Sequence, residues 1–407
     1  YAQQGLLENP VDFDGDGKIT NNKLEKLGGK SENEYFNANR APRNRINIKY
    51  QRMFTGAFMY ASSHHVGIEY DSSAPLMKGH PFEVNEDGTV KEASGELFGW
   101  GIAHEIGHVT EITKMTYGEV TNNIIANLAQ TFDDKTKSRL ENGDTYEKMY
   151  EKVTSGTVGI TSDLAMGLGM FWQLHLAYDN DYTAKMLQNK NTFYARLSKR
   201  YRQATAEENS VDKNQLLVRF ASDAAGKDLT DFFTAWGIVP DEATKNYLQS
   251  KGYDKEERKI QYLNDEARRK VLNNVGSIAE STKVTASYNN VTKGEIASTK
   301  EVTLNLGIND DSDILGYEIY RNGKVVGFTT DNTFTDYLGA LNNRALTYEV
   351  VAYDNNLNAT EKLSLGEVKV SHDGTISNKS SWTVETNTSD GHNHNACEGE
   401  NNPNLNK

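Results

Sequence analysis

His104 and His108 stand four residues apart with Glu105 beside the first, in the run His104-Glu105-Ile106-Gly107-His108. On a helix, side chains four apart lie one above the other, so both imidazoles leave the same face and can grip a single zinc ion. Glu105 points about 100° further round the helix, where its carboxylate can reach a water beside the metal without displacing a ligand. That is the geometry of a general base in metal-assisted hydrolysis.

A catalytic zinc takes three protein ligands and keeps one position open. No other His follows before His175, and the nearest later acids are Glu111 and Glu119. Glu111 lies one turn past His108 on the same expected helix. Glu119 follows Gly118 at the start of a second helical stretch, where a reversed chain brings it back, so Glu119 is assigned as the third ligand. Asn123, four residues on and on the same predicted face, is placed to accept the free N–H of a zinc-bound imidazole and fix its tautomer. With Asn122 beside it, an ordinary helix-surface amide is the alternative.

The elements that must position these groups are legible in the periodicity. Leu97, Trp100, Ile102, Ala103 and Ile106 recur at helical spacing across 96–110, and a second helical pattern runs from about 118 to 132. The small Gly101 and Gly107 allow a neighbouring element to approach closely. Further helices are expected over 166–178, 181–204, 210–224 and 228–236, with Ser162 and Ser210 as N-caps. Beyond residue 278 the period changes to two, in Val302-Leu304-Leu306, Tyr317-Ile319 and Tyr348-Val350, with Asn322-Gly323 as a hairpin turn. The expected fold is an α+β zincin-like domain over 1–277, mainly helical after residue 95. An all-β sandwich follows over 278–371, in which Gly316-Tyr317-Glu318-Ile319-Tyr320-Arg321 and Tyr348-Glu349-Val350-Val351-Ala352-Tyr353 resemble strands of fibronectin type III modules, implying a fibronectin III/immunoglobulin-like module. Residues 372–407, rich in Ser, Thr, Asn and Gly, are expected to form a disordered linker, although Trp382-Thr383-Val384-Glu385 and Asn401–Lys407 resemble the opening of a discoidin-type carbohydrate-binding module.

The 407 residues carry 44 basic and 57 acidic side chains, a formal net charge of −13, which excludes a phosphate-backbone partner. The single cysteine, Cys397, cannot staple the fold. No run of about 18 apolar residues exists to span a membrane. The chain opens on Tyr1 with no leader segment, as expected of an excised piece of a longer protein.

Trp100-Gly101-Ile102-Ala103-His104-Glu105-Ile106-Gly107-His108, followed by Gly118-Glu119-Val120-Thr121-Asn122-Asn123, resembles the zinc site of the enhancin-like glutamate-zincin metallopeptidases that attack mucin-type glycoproteins. Phe171-Trp172-Gln173-Leu174-His175-Leu176-Ala177-Tyr178-Asp179 and Asp228-Leu229-Thr230-Asp231-Phe232-Phe233 also resemble that family, over roughly residues 40–250. The resemblance implies zinc ligation by His104, His108 and Glu119, catalysis by Glu105, and cleavage of a glycoprotein beside an O-glycosylated Ser or Thr. A secreted or cell-surface monomer is expected. A glutamate-zincin aminopeptidase is the alternative, although no Gly-x-Met-Glu-Asn type run appears. A glycan-binding adhesin with a vestigial metal site is a third possibility, opposed by the intact Glu105.

Smaller expectations complete the picture. An oxyanion donor is sought among Tyr117, His175 and Tyr178, although core packing is favoured for His175 and Trp172. His64-His65 precede a strand that either pairs with extended substrate at a sheet edge or is plainly structural. Asp12, Asp14, Asp16, Lys18 and Thr20 reproduce the spacing of an EF-hand calcium loop with Gly17 at its sharp turn. Position 12 of that loop is Lys23, so Glu25 or a distant carboxylate must close it, and a solvated acidic turn is the alternative.

Overall fold

The helix bearing the two histidines runs Trp100–Thr110 (α1) and is clamped between a small sheet and a second helix. This architecture comes from a computed structural model that describes residues 4–6, 38–41, 46–53, 59–62, 65–69, 100–131, 137–179, 191–275, 277–289, 291–292, 295–296, 301–338 and 344–370. The calcium-loop residues Asp12, Asp14, Asp16, Lys18 and Thr20, His64 and the tail beyond 370 lie outside the described residues.

The sheet is formed by β1 (Asn47–Gln51), β2 (Met59–Ser62) and β3 (His65–Glu69), in the order β1-β3-β2. β3 is parallel to β1 and antiparallel to β2. Val66 and Ile68 are fully buried and pack with Ile102 and Ile106 of α1. The strand after His64-His65 is therefore central, with both edges paired, and it cannot accept an added substrate strand. His65 Nε2 instead meets the Tyr60 hydroxyl at 2.9 Å.

A helical body follows, built from α2 (Asn122–Thr131), α3 (Thr145–Thr154), α4 (Leu164–Tyr178), α5 (Phe193–Arg202), α6 (Lys213–Ala225), α7 (Thr230–Ala235), α8 (Glu242–Lys251) and α9 (Asp265–Leu272). Every residue of α4 from Gly167 to Leu176 is buried, as a helix apolar all round must be at the centre of a body. The caps differ from expectation. Asp163 accepts from the Met166 N–H, and Asp212 accepts from the Asn214 and Gln215 N–H groups. An aspartate caps as well as serine and adds a negative charge at the positive helix end, so Asp163 and Asp212 displace Ser162 and Ser210.

The C-terminal part is β-rich. One sheet is β4 (Val284–Tyr288), β7 (Glu301–Ile308) and β10 (Thr333–Tyr337), in the order β10-β7-β4. The other holds β5 (Val291–Thr292), β6 (Glu295–Ile296), β8 (Ile314–Arg321), β9 (Lys324–Thr329), β11 (Arg344–Asp354) and β12 (Leu363–Val370), in the order β5-β6-β12-β11-β8-β9. Val302, Leu304, Tyr317, Ile319, Tyr348 and Val350, the residues that alternate in sequence, share one core between the sheets. Asn322 and Gly323, with φ of 51° and 77°, close the β8–β9 hairpin, as a type I′ turn requires.

This module is welded to the helical body. Tyr262 stacks on Phe328 of β9 with ring centroids 4.0 Å apart and 9° between planes. Glu318 of β8 is 1% exposed and accepts from the hydroxyls of Tyr262, Tyr320 and Tyr353 at 2.6, 2.6 and 2.8 Å. A buried carboxylate is tolerated only when its lone pairs are met in this way. Among the described residues no helix is long and apolar enough to cross a membrane.

Candidate metal centre

Helical spacing places the His104 and His108 rings edge to face, 4.8 Å between centroids at 87°. The chain then leaves α1 and reverses at Gly118, whose φ of +55° suits glycine. The Val120 N–H closes that turn on the Tyr117 carbonyl at 3.1 Å. Glu119 sits in this turn, and α2 starts only at Asn122, so the second helix begins later than its periodicity indicates. One carboxylate oxygen of Glu119, Oε2, lies 3.1 Å from His104 Nε2 and 3.3 Å from His108 Nε2.

The site allows a chemical test of fit for zinc. Ligand atoms about 2.0–2.1 Å from a tetrahedral zinc stand about 3.3 Å from one another, which matches both separations. The Nδ1 atoms of the two rings each face an oxygen acceptor: Asn123 Oδ1 at 2.6 Å from His104 and Glu111 Oε2 at 3.4 Å from His108. Those contacts favour the tautomer with Nδ1 protonated, leaving two Nε2 lone pairs aimed at a carboxylate. Asn122, fully buried, supplies one donor, its Nδ2 lying 2.9 Å from His108 Nε2 and 3.2 Å from His104 Nε2. Its Oδ1 is buried with no partner among the described residues. A single neutral amide NH2 against two lone pairs and a carboxylate leaves the cluster short of positive charge, and a divalent cation meets that need.

Glu105 belongs to the same cluster, its carboxylate and the two imidazoles lying within 4.8 Å of one another. Glu119 differs from it in that a single oxygen meets both Nε2 atoms. Glu105 is 7% exposed. Burial pushes its carboxyl above the ordinary range, His104 and His108 pull it down, and the Glu119 charge adds to the rise.

Close packing of α1 on α2 makes this convergence possible. A Cβ on Gly107 would stand 2.6 Å from the Asn122 carbonyl oxygen and 3.0 Å from its Cα. Asn123 ties the parts together, its Oδ1 facing His104 while its Nδ2 donates to the Glu119 carbonyl at 2.5 Å. Spacing alone does not single out Asn122 and Glu111 as partners of the histidines, since both contacts depend on how tightly the two helices cross.

The three expected oxyanion donors are engaged elsewhere. The Tyr117 hydroxyl donates to Asn214 Oδ1 at 2.9 Å, and the Tyr178 hydroxyl to Glu256 at 2.7 Å. His175 is fully buried against Asp179, 2.9 Å away, and burial holds its pKa below the usual imidazole range. Trp172 is core, its indole N–H donating to Asp265 at 3.0 Å.

Residues 43–237, which contain the whole cluster, match the family model of peptidase M60, enhancin and enhancin-like. The M60 catalytic domain of ZmpC from Clostridium perfringens, in complex with the sialyl T antigen, is 28% identical with a TM-score of 0.60, over 85% of this chain and 63% of that one. The ZmpB metallopeptidase of the same organism is 28% identical with a TM-score of 0.57, over 84% of this chain and 59% of its own. The catalytic module of the Clostridium perfringens metalloprotease ZmpA is 25% identical with a TM-score of 0.57, over 85% of this chain and 61% of that one. The chain thus spans about three fifths of the length of these structures. No curated protein gives a match. With its two-histidine helix inside the matched span and three metallopeptidase structures aligned along most of its length, the chain is similar, over residues 43–237, to the peptidase M60, enhancin and enhancin-like, family.

Proposed function

We propose that the chain is a zinc-dependent endopeptidase that cuts O-glycosylated, mucin-type glycoproteins next to a glycosylated Ser or Thr. The observation that carries the chemistry is the meeting of Glu119 Oε2 with both Nε2 atoms, beside a buried Glu105. His104, His108 and Glu119 would hold the ion. Bound zinc supplies Lewis acidity, lowering the pKa of water toward about 7 and polarising a carbonyl. Glu105 takes the proton from the attacking water and returns it to the departing amine, one carboxyl serving both steps. Asn123 holds the His104 ring in register with the Glu119 turn.

The glycan half of the proposal is supported by ZmpC, whose catalytic domain is in complex with the sialyl T antigen. Because mucin-type substrates are extracellular, a secreted or cell-surface location goes with it. The proposed division is a peptidase unit over 1–277, a fibronectin type III-like module over 278–371, and a linker or the start of a carbohydrate-binding module over 372–407. A structural calcium held by the acidic loop at 12–23 belongs to the same proposal, supported by its ligand spacing.

The test is cleavage of a mucin-type glycoprotein before and after enzymatic removal of its O-glycans, with and without a zinc chelator. Cutting is expected to favour the glycosylated form by at least about tenfold, to stop on chelation and to return with added zinc. Equal cutting of both forms would remove the glycan dependence, and chelator-resistant cutting would remove the metal.

A further inference from the structure

Glu111 stands just past the end of α1 and takes no part in the ligand set proposed above, yet it is fixed at both oxygens. Its Oε2 faces His108 Nδ1 at 3.4 Å, and its Oε1 accepts from the Thr121 hydroxyl at 2.9 Å. Thr121 is buried and belongs to the turn that carries Glu119, two residues before it. The Thr121 oxygen in turn accepts from the Tyr117 N–H at 2.9 Å, across the base of that turn. Lys213 packs over the Tyr117 ring at 4.0 Å, bonds the Thr116 carbonyl and is near enough to Glu111 for their charges to attract.

These contacts form a second brace matching the first. His104 reaches the Glu119 turn through the Asn123 amide, and His108 reaches it through Glu111 and Thr121. The first link is neutral, whereas the second is a carboxylate. A carboxylate behind an imidazole fixes its tautomer and raises its strength as a metal ligand.

We infer that Glu111, held by Thr121, is a positioning residue that orients His108 with Nδ1 protonated and Nε2 turned to the metal, and so sets zinc affinity. The inference rests on zinc ligation by His108 and Glu119. Glu111 itself is no ligand, since it faces the ring nitrogen on the far side from Glu119.

The experiment is competition for zinc between a fluorescent chelator and the metal-stripped full chain, as wild type, Glu111→Ala, Thr121→Val and Thr121→Ser. It is accompanied by long-range proton–nitrogen spectra of the histidine rings. Glu111→Ala is expected to weaken zinc by about 10–100-fold and to remove the His108 preference for the Nδ1–H tautomer. Thr121→Val should weaken zinc less, and Thr121→Ser should restore wild-type affinity, because Ser keeps the hydroxyl that bonds Glu111. The Thr121 pair decides the matter if Glu111→Ala fails to fold. Wild-type affinity with an unchanged tautomer in Glu111→Ala, or equal affinity in Thr121→Val and Thr121→Ser, overturns the inference and leaves the zinc site standing. Loss of zinc in Glu111→Ala as complete as in Glu119→Ala also overturns it, by making Glu111 a ligand. A wild-type chain that takes up no zinc overturns the site assignment as well.

Discussion

Glu105→Gln is expected to lower kcat on a mucin-type substrate by about a thousandfold, within the range that a positioned acid–base group supplies, while zinc content stays near one per chain. A thousandfold loss corresponds to about 4 kcal/mol of transition-state stabilisation. Gln matches the volume of Glu at a site only 7% exposed, so packing around α1 should survive. The amide cannot take a proton from water, and it cannot return one to the leaving amine. His104, His108 and Glu119 are untouched, so KM and metal affinity should change far less than kcat. Turnover near wild type would remove Glu105 from the base role. Loss of zinc together with loss of turnover would make it a ligand.

Gly107→Ala carries the second large effect, and here two contributions compete. In a helix interior Ala is favoured over Gly by about 1 kcal/mol, so an unopposed substitution would stabilise α1. The added methyl, however, meets the Asn122 carbonyl oxygen at 2.6 Å and its Cα and Cβ at 3.0 Å. Most of that obstacle is backbone, so no change of rotamer relieves it and the two helices must part. Asn122, Asn123 and the Glu119 turn move together with α2, whereas the histidines stay with α1. A displacement of about 1 Å at a catalytic constellation costs roughly a hundredfold in rate. Chelator competition and steady-state kinetics on the variant should therefore show weakened zinc and turnover lower by about that factor. Unchanged affinity with a higher Tm would mean that the crossing is looser than 2.6 Å implies.

Much of the metal cluster is legible in the sequence because its first half is a property of one helix. Four-residue spacing fixes His104 and His108 without reference to the rest of the chain. Glu119 requires only that the chain reverse at Gly118, although it sits in the turn and not in the following helix. Four-residue spacing from Glu119 on one helix face points to Asn123, which faces His104 instead from the first turn of α2. The contacts of Asn122 and Glu111 are not legible, since each depends on interhelical distance and on the end of α1, which no periodicity reports. Nearness to the motif points to Tyr117, and an aromatic helix to His175 and Tyr178, as oxyanion donors, and their partners, Asn214, Asp179 and Glu256, show why neither signal is a strong guide.

The strands follow the same division. Alternation in β7, β8 and β11 marks which side chains face inward, and Asn322-Gly323 marks the hairpin. It does not reveal that Glu318, outward-facing by the same alternation, is buried under Tyr262 of the helical body. Likewise, the sequence marks a strand after His64-His65 and leaves open whether it lies at an edge, because its central place in the sheet depends on β1 and β2.

Zinc K-edge anomalous diffraction on crystals of the metal-loaded chain measures the central claim most directly. One ion per chain is expected, bonded to His104 Nε2, His108 Nε2 and a Glu119 carboxylate oxygen at about 2.0–2.2 Å, with Glu105 beside the remaining position. An ion that left Glu119 beyond bonding reach, with another side chain in its place, would contradict the assignment.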